Sequence, residues 1–388
     1  MKNKLTISDI AVKKINDHHE LTAKIDDDRI YFRVTKYHDI FPVAEPFIGI
    51  ALLEAMISNR DIMVQDTPIS RELFNRLIEI QQIYSCWNKD LKVVEIIADT
   101  YKEIKPYKKV GCFFSAGVDS SHALLRNMDE ISHLIIFNIF DYGNDDESWK
   151  HRINKQKKFA DSINKTLIPV ETNAREWTNS KKISWHFAHG LFLSSVGCAF
   201  GLSKAFVPSS HTYDELFPWG SHPLSDPMWS TESTKIIHDG AGFRRSEKLS
   251  DLLDNTLLAD NLQTCWLYTD KNCGMCPKCV RSIIAIHILG KETSSLPSFK
   301  NKMLKSLRAI DESGATFLED VMLLAKNHNP KLYKTLKRYY KQYQLKNILF
   351  SIDRYLLGNC MRNVYRKIKK PNWLDLRVSL RGMNRWNI

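Results

Sequence analysis

Apolar and polar positions alternate most regularly in the middle of the chain, where short apolar runs are separated by longer amphipathic stretches. Four of these runs predict buried strands, at residues 110–114, 134–140, 166–170 and 205–207. The stretches between them have the length and periodicity of helices. Regular alternation of strands and helices is typical of a parallel sheet covered on both faces. We therefore predict an α/β domain with a doubly wound parallel sheet over residues 106–295.

The pattern changes before this region. Residues 1–105 predict a small accessory α+β domain, with half-exposed strands at 29–34 and 61–65. A helix is predicted over 71–82, and Ser70 directly before it is a favourable N-cap. No catalytic motif stands in this part, so its expected role is to shape a pocket.

The pattern changes again after residue 295, where residues 296–388 predict a basic helical extension. From residue 331 onward there are fifteen Lys and Arg and two Asp and Glu, so this segment accounts for the whole formal net charge of +12. Tyrosines are interleaved with the basic residues, as on surfaces that bind polyanions. A solvated helical face and a surface for anionic membranes are the alternatives. The most apolar stretch of the chain, residues 187–202, is shorter than a membrane span, so no integral membrane segment is expected.

A phosphate site is predicted where the strand at 110–114 ends. Small and hydroxyl residues fill Ser115–Ser121, and a helical run follows. Such a turn directs backbone N–H groups and the positive end of the helix dipole at one spot. The alternative is an ordinary strand–turn–helix connection in which Ser and Asp only cap the helix.

Four of the eight cysteines fall in one short stretch with the spacing C-x7-C-x2-C-x2-C. They are Cys265, Cys273, Cys276 and Cys279. This spacing, with Gly and Pro inside the C-x-x-C steps, predicts a four-thiolate structural Zn²⁺ site. The alternative, two disulfides, requires an oxidising compartment. The first residues lack the apolar core of a signal peptide, so we expect a cytoplasmic protein with reduced cysteines.

The segment Ser115–Ser121 resembles the SGGxDS loop of the N-type ATP pyrophosphatases (PP-loop enzymes), and a four-cysteine knuckle further along resembles the 7-cyano-7-deazaguanine synthase family. Two further segments are similar to that family, namely the turn that begins Asp141-Tyr142 and the group of Ser209-Ser210-His211 with Asp214. The chain departs from the family in three places, one of which is the lack of an arginine–asparagine pair before residues 191–200. Ala116 stands at the first glycine of the loop, and Trp219 replaces the aspartate that follows Pro218.

The resemblance implies a PP-loop fold and an ATP-dependent, ligase-like enzyme that uses Mg²⁺. A carboxylate or amide oxygen would attack the α-phosphate, pyrophosphate would leave, and a nitrogen nucleophile would then displace AMP. The implied ATP-binding residues are Ser115, Ala116, Gly117, Val118, Asp119, Ser120, Ser121 and Asn138. The implied catalytic residues are Asp119, Ser120 and Lys248, with Lys235 as the alternative lysine. The implied substrate-binding residues are Asp141, Tyr142, His211 and Asp214.

Two other functions remain open from the sequence. One is a PP-loop enzyme that modifies bases of tRNA or another RNA, with the basic tail holding the nucleic acid. The other is a nucleotide-binding component of a defence or biosynthetic assembly. The expected partners are ATP, an acceptor of unidentified class, a polyanion at the tail and a second copy of the chain.

Overall fold

The computed structural model describes residues 3–139, 146–265, 267–268, 270–307 and 312–357, together with Cys360 and Val364. The chain folds into two compact units, the first ending at Phe243 and the second beginning at Arg244.

The first unit contains twelve described strands and six described α-helices. The strands are β1 (Lys4–Ile15), β2 (His18–Ile25), β3 (Asp28–Thr35), β4 (Asp61–Val64), β5 (Ile69–Ser70), β6 (Ile96–Ile97), β7 (Thr100–Tyr101), β8 (Lys109–Phe113), β9 (His133–Asn138), β10 (Thr166–Thr172), β11 (Leu202–Pro208) and β12 (Lys235–Asp239). The helices are α1 (Glu45–Ser58), α2 (Arg71–Trp87), α3 (Val118–Arg126), α4 (Asp146–Ser162), α5 (Ala174–Ser180) and α6 (Trp185–Val196).

Ten of these strands form one large, mostly parallel sheet in the order β12-β11-β8-β9-β10-β3-β2-β1-β4-β6. Along this order, the five strands from β12 to β10 are parallel to one another. The next three pairs, β10 with β3, β3 with β2 and β2 with β1, are antiparallel. This confirms the predicted α/β class.

The sheet reverses its direction of growth beside β8. The chain lays down β8, β9 and β10 in turn towards one side, then returns to place β11 on the other side of β8, and β12 beyond it. In open α/β sheets the crevice at such a reversal lies at the carboxyl ends of the strands and is the usual ligand site. The loops that follow β8 and β11 therefore meet at one edge of the sheet.

The predicted boundary near residue 105 differs from the structure. Strand β3 pairs with β10, with Val34 opposite Val170, so the N-terminal strands extend the same sheet. The ring of Phe32 on β3 stacks on that of Phe192 on α6, with 5.9 Å between centroids. Residues 1–105 therefore share one core with the segment up to residue 243. Sequence patterns locate strands but do not show which strands pair, and this is why the boundary was misplaced.

The second unit is helical in its described part. Its helices are α7 (Arg245–Leu253), α8 (Thr256–Asn261), α9 (Pro277–Ile288), α10 (Glu312–His328) and α11 (Pro330–Leu357). The four-cysteine segment runs from the loop after α8 to Cys279 in the first turn of α9. It therefore belongs to this unit, whereas the sequence had placed it in the α/β unit. Among the described helices, none combines the length and the apolar character needed to span a bilayer.

Candidate functional site

The predicted phosphate loop follows β8, the strand at which the sheet reverses. Gly117 precedes α3 with an extended backbone (φ −77°, ψ 168°), and no described side chain caps the helix there. The first N–H groups of an α-helix have no partner within the helix. Together with the helix dipole, these N–H groups give the loop the character of an anion site.

Two serine hydroxyls hold the loop closed. Oγ of Ser120 accepts a hydrogen bond from N of Ser115 at 3.1 Å and donates to O of Gly117 at 3.2 Å. Oγ of Ser115 lies 3.2 Å from Oγ of Ser120 and accepts from N of Gly117 at 3.3 Å. The shape of the loop therefore depends on the two hydroxyls that the sequence singled out.

Ala116 lies between these hydroxyls in a left-handed backbone conformation, with φ of +56°. It is fully buried. A residue with a Cβ atom is disfavoured there by about 1–2 kcal/mol. The conformation is the one that glycine adopts readily, so the chain keeps the loop shape without the usual residue. Asp119 lies in the first turn of α3.

Arg152 is a functional candidate that the sequence reasoning missed. It lies on α4 and its guanidinium Nη2 donates to O of Ser115 at 2.9 Å. The residue is 4% exposed, and burial lowers the pKa of the guanidinium to about 9, which leaves it charged at neutral pH. A buried cation directly behind the loop makes the electrostatic potential at the loop more positive. Nothing in the spacing of α4 distinguishes this arginine from a surface one.

The loop after β11 is the second side of the crevice. N of Ser209 donates to O of Asp239 at 2.7 Å, and Oγ of Ser209 donates to O of His211, also at 2.7 Å. The buried ring of His211 lies against two aromatic rings, at 4.6 Å from Phe217 and 5.4 Å from Trp219. This predicted substrate residue is therefore part of an aromatic cluster.

Asp214 and Asp239 have different surroundings. Asp214 is exposed and its Oδ1 accepts from Oγ1 of Thr212 at 2.5 Å. Asp239, at the carboxyl end of β12, is 9% exposed and its Oδ1 pairs with Nη1 of Arg126 at 3.3 Å. Oδ2 of Asp239 is buried and accepts no hydrogen bond from any described residue. Asp239 was missed because a lone acid after a short apolar run carries no motif.

Asn138, predicted to contact ATP, ends β9 beside the loop strand. Its Oδ1 is buried and has no hydrogen-bond partner in the described part of the chain. Asp141 and Tyr142, the other predicted residues of this turn, lie outside the described residues.

The two candidate lysines lie on different elements, one in each unit. Lys248 lies on α7 in the second unit and is 1% exposed. Lys235 begins β12, whereas the carboxyl end of that strand, at Asp239, is the end that faces the crevice. A five-residue strand is about 13 Å long between its end residues. Lys235 therefore lies at the opposite edge of the sheet from the loop.

The four predicted metal ligands do come together in the second unit. The Sγ atoms of Cys265, Cys273, Cys276 and Cys279 all lie within 4.8 Å of one another. Two of the Sγ–Sγ distances, Cys273–Cys279 and Cys265–Cys276, are 4.0 Å. Tetrahedral Zn²⁺ with bonds of 2.3 Å places its sulfurs about 3.8 Å apart. The cluster has the donor set and the size for a metal ion.

Backbone amides support the cluster. N of Cys276 donates to Sγ of Cys273 at 3.2 Å, and N of Cys279 donates to Sγ of Cys276 at 3.4 Å. Gly274 has φ of +67°, and a Cβ there would lie 2.8 Å from Cγ of Pro297. Hydrogen bonds among the thiols split their pKa values, which fall for Cys265 and Cys273 and rise for Cys276 and Cys279.

Asn272 organises the segment and was missed by the sequence reasoning. Its Oδ1 accepts from N of Thr264 at 2.8 Å and from N of Cys265 at 3.0 Å. Its Nδ2 donates to O of Leu262 at 2.8 Å and to O of Ser295 at 2.7 Å. Asn272 comes directly before Cys273 in the sequence, so its side chain fixes the position of Cys265 relative to the other three cysteines.

Comparison with family models, with curated proteins and with solved structures finds no significant match to this chain.

Proposed function

We propose that the crevice between the loops after β8 and β11 binds ATP, and that the protein is an ATP-dependent, ligase-like enzyme that forms AMP and pyrophosphate. One observation carries the proposal: the Ser115–Ser121 loop lies beside the reversal point of the sheet, closed by two hydroxyls and backed by the buried guanidinium of Arg152. Backbone N–H groups, hydroxyls and one fixed cation are the groups that bind polyphosphates.

In this proposal the chain acts by positioning and by electrostatics. The N–H groups at the start of α3 and the hydroxyls of Ser115 and Ser120 hold the phosphates. Asp119 holds Mg²⁺, which neutralises phosphate charge when it is bound. A carboxylate or amide oxygen of the acceptor attacks the α-phosphorus, and pyrophosphate leaves with the electron pair of the broken P–O bond. A nitrogen nucleophile then attacks the activated carbon and AMP leaves.

The acceptor side of the crevice favours a molecule other than a deazaguanine. Trp219 occupies the position at which the resembling family has an aspartate, and rings of His186, His189 and His211 lie 5.0, 5.3 and 5.4 Å from it. An aromatic cluster selects a partner by shape and by its apolar surface. The indole of Trp219 cannot accept hydrogen bonds from the edge of a nucleobase, as the carboxylate of an aspartate can.

Sulfur transfer to RNA is the less favoured chemistry. Burial raises the pKa of Cys112 beside the loop, and it also raises that of Cys198. A nucleophilic cysteine needs a lowered pKa and access to solvent. The cluster of four cysteines in the second unit is better explained as a set of ligands for a structural Zn²⁺, because a four-thiolate site leaves no open position for a substrate.

The test is calorimetric titration of Mg·ATP into the full chain, with Ser120→Ala and Asp119→Ala as variants. Ser120→Ala removes the hydroxyl that closes the loop, and we expect at least about tenfold weaker ATP binding, since a hydrogen bond to a charged group contributes about 1.5–3 kcal/mol. Ser162→Ala and Asp161→Ala, at the end of α4, are matched controls and leave ATP binding unchanged. Equal affinity in all four variants would refute the phosphate site.

A further inference from the structure

Helix α11 has one face that changes character along its length. With 3.6 residues per turn, successive residues are about 100° apart, and ten of the described side chains after Pro330 fall within an arc of about 120°. We call this arc the outer face. Its first half carries the cations Lys331, Lys334, Lys337, Arg338 and Lys341, and its second half carries the aliphatic residues Leu345, Ile348, Leu349, Ile352 and Leu356.

The outer face points away from the packing of its own unit. Leu332 and Leu336, on the opposite side of α11, are 7% and 0% exposed. Oη of Tyr340 donates to Oε2 of Glu319 on α10 at 3.0 Å. The first half of α11 is therefore packed through one side while the cations on the other side are exposed.

The aliphatic half of the outer face is exposed to an unusual degree. Its five residues are between 47% and 76% exposed, from Ile352 to Leu356. They follow the i, i+3, i+4, i+7, i+11 spacing of a continuous stripe. Single exposed leucines are ordinary, but a contiguous apolar stripe marks a surface that is covered by something else.

The charge of the outer face indicates which kind of partner binds it. A second copy of the chain would cover the aliphatic half and leave the five cations without opposite charges. A polynucleotide would pair with the cations, but it binds through stacking on aromatic rings, and the stripe is entirely Leu and Ile. Residues 365–388 are themselves basic, with seven Lys and Arg against Asp375, and so do not complement the cations.

We propose that the outer face of α11 docks on the surface of an anionic lipid bilayer, with its aliphatic half in the headgroup–acyl boundary and its cations among the lipid phosphates. A helix that presents cations and exposed aliphatic side chains in succession on one face can lie in the plane of the interface, attracted by buried apolar area and by negative headgroups together. The further basic residues after α11 add to the attraction. This function is independent of the ATP site in the first unit.

The experiment is co-sedimentation of the full chain with vesicles of phosphatidylcholine alone and of phosphatidylcholine with about 30% phosphatidylglycerol. We expect at least about tenfold stronger partitioning to the anionic vesicles. Ile348→Asn with Ile352→Asn lowers that partitioning at least about tenfold without changing charge. Lys334→Gln with Lys341→Gln lowers it severalfold and flattens its salt dependence. Ile78→Asn on α2, at a position 56% exposed, is the matched control and changes nothing.

Three outcomes would overturn the proposal. Equal partitioning of the Ile348/Ile352 variant and the Ile78 control would show that the stripe is not the contact. A dimer in light scattering that the Ile348/Ile352 variant dissociates, with no vesicle binding, would assign the stripe to a second copy. Binding of poly(U) that requires the cations, again with no vesicle binding, would assign the face to nucleic acid. Circular dichroism checks that each variant folds, and Leu356→Asn replaces the double variant if it does not.

Discussion

The phosphate loop and the cysteine cluster are built on opposite principles. The loop is shaped by backbone geometry and two hydroxyls, and the groups that we propose bind phosphate are mainly N–H groups that every sequence has. The cluster is made of four particular side chains whose sulfurs meet within 4.8 Å. Changes in the loop should therefore affect binding more than folding, whereas changes in the cluster should affect folding first.

The largest effect is expected from removing metal from the cluster. A structural Zn²⁺ site in a small knuckle contributes about 10 kcal/mol or more of apparent binding free energy. A strong chelator, or Cys276→Ser, should therefore lower the unfolding temperature of the second unit in scanning calorimetry, while the α/β unit keeps its own transition. Cys86→Ser, at an exposed free cysteine, is the control. Full stability without bound metal would contradict the assignment.

A smaller effect is expected from Asn272→Ala. The substitution removes four hydrogen bonds to the main chain around the first cysteine, each contributing about 1 kcal/mol. Supporting residues of metal sites typically change metal affinity by about 10–100-fold. Competition with a chromophoric zinc chelator measures this affinity. An unchanged zinc affinity would show that the four cysteines reach their positions without the hydrogen bonds of Asn272.

On the loop side, Arg152→Gln should weaken Mg·ATP binding by about tenfold or more, because a charged hydrogen-bond donor contributes about 1.5–3 kcal/mol. Calorimetric titration measures this loss. Lys150→Gln, on the exposed side of the same helix, keeps the affinity. If both variants bind alike, the buried charge supports the fold and not the ligand.

The smallest effect is expected from Ala116→Gly. Relief of the left-handed backbone favours the folded state by about 1–2 kcal/mol, and the greater chain entropy of glycine removes about 0.5–1 kcal/mol of that. We expect a net gain of up to about 1.5 kcal/mol in the free energy of unfolding, measured in urea. Ala123→Gly, inside α3, should instead destabilise by about 1 kcal/mol. A loss at residue 116 would mean that its methyl packing outweighs the backbone strain.

Local patterns predicted the strands of the parallel half well. The predicted runs at 134–140 and 166–170 are observed as His133–Asn138 and Thr166–Thr172. The predicted cap is confirmed as well, since Oγ of Ser70 accepts from N of Leu73 at 3.0 Å. These features depend on residues that are close in the sequence, and they are therefore predictable from the sequence alone.

Features that depend on distant neighbours were missed. Strand β1 was not predicted because a bulge between Ser8 and Ala11, with Asp9 at φ of +55°, interrupts its alternation. Arg152 and Asp239 acquire their roles only when α4 and β12 pack beside the loop. The fold class and the clustering of the four cysteines were therefore predictable, whereas the residues that support the loop and the cluster were not.

The pairing of β3 with β10 has a consequence for the fate of the nascent or proteolysed chain. Without residues 1–105, β10 would become an unprotected edge, with backbone donors and acceptors along Thr166–Thr172 open to any passing strand. The antiparallel strands β1–β3 therefore cover the edge of β10 and prevent it from pairing with a strand of another molecule. We expect a fragment that begins at residue 106 to aggregate, although its own sequence is unchanged.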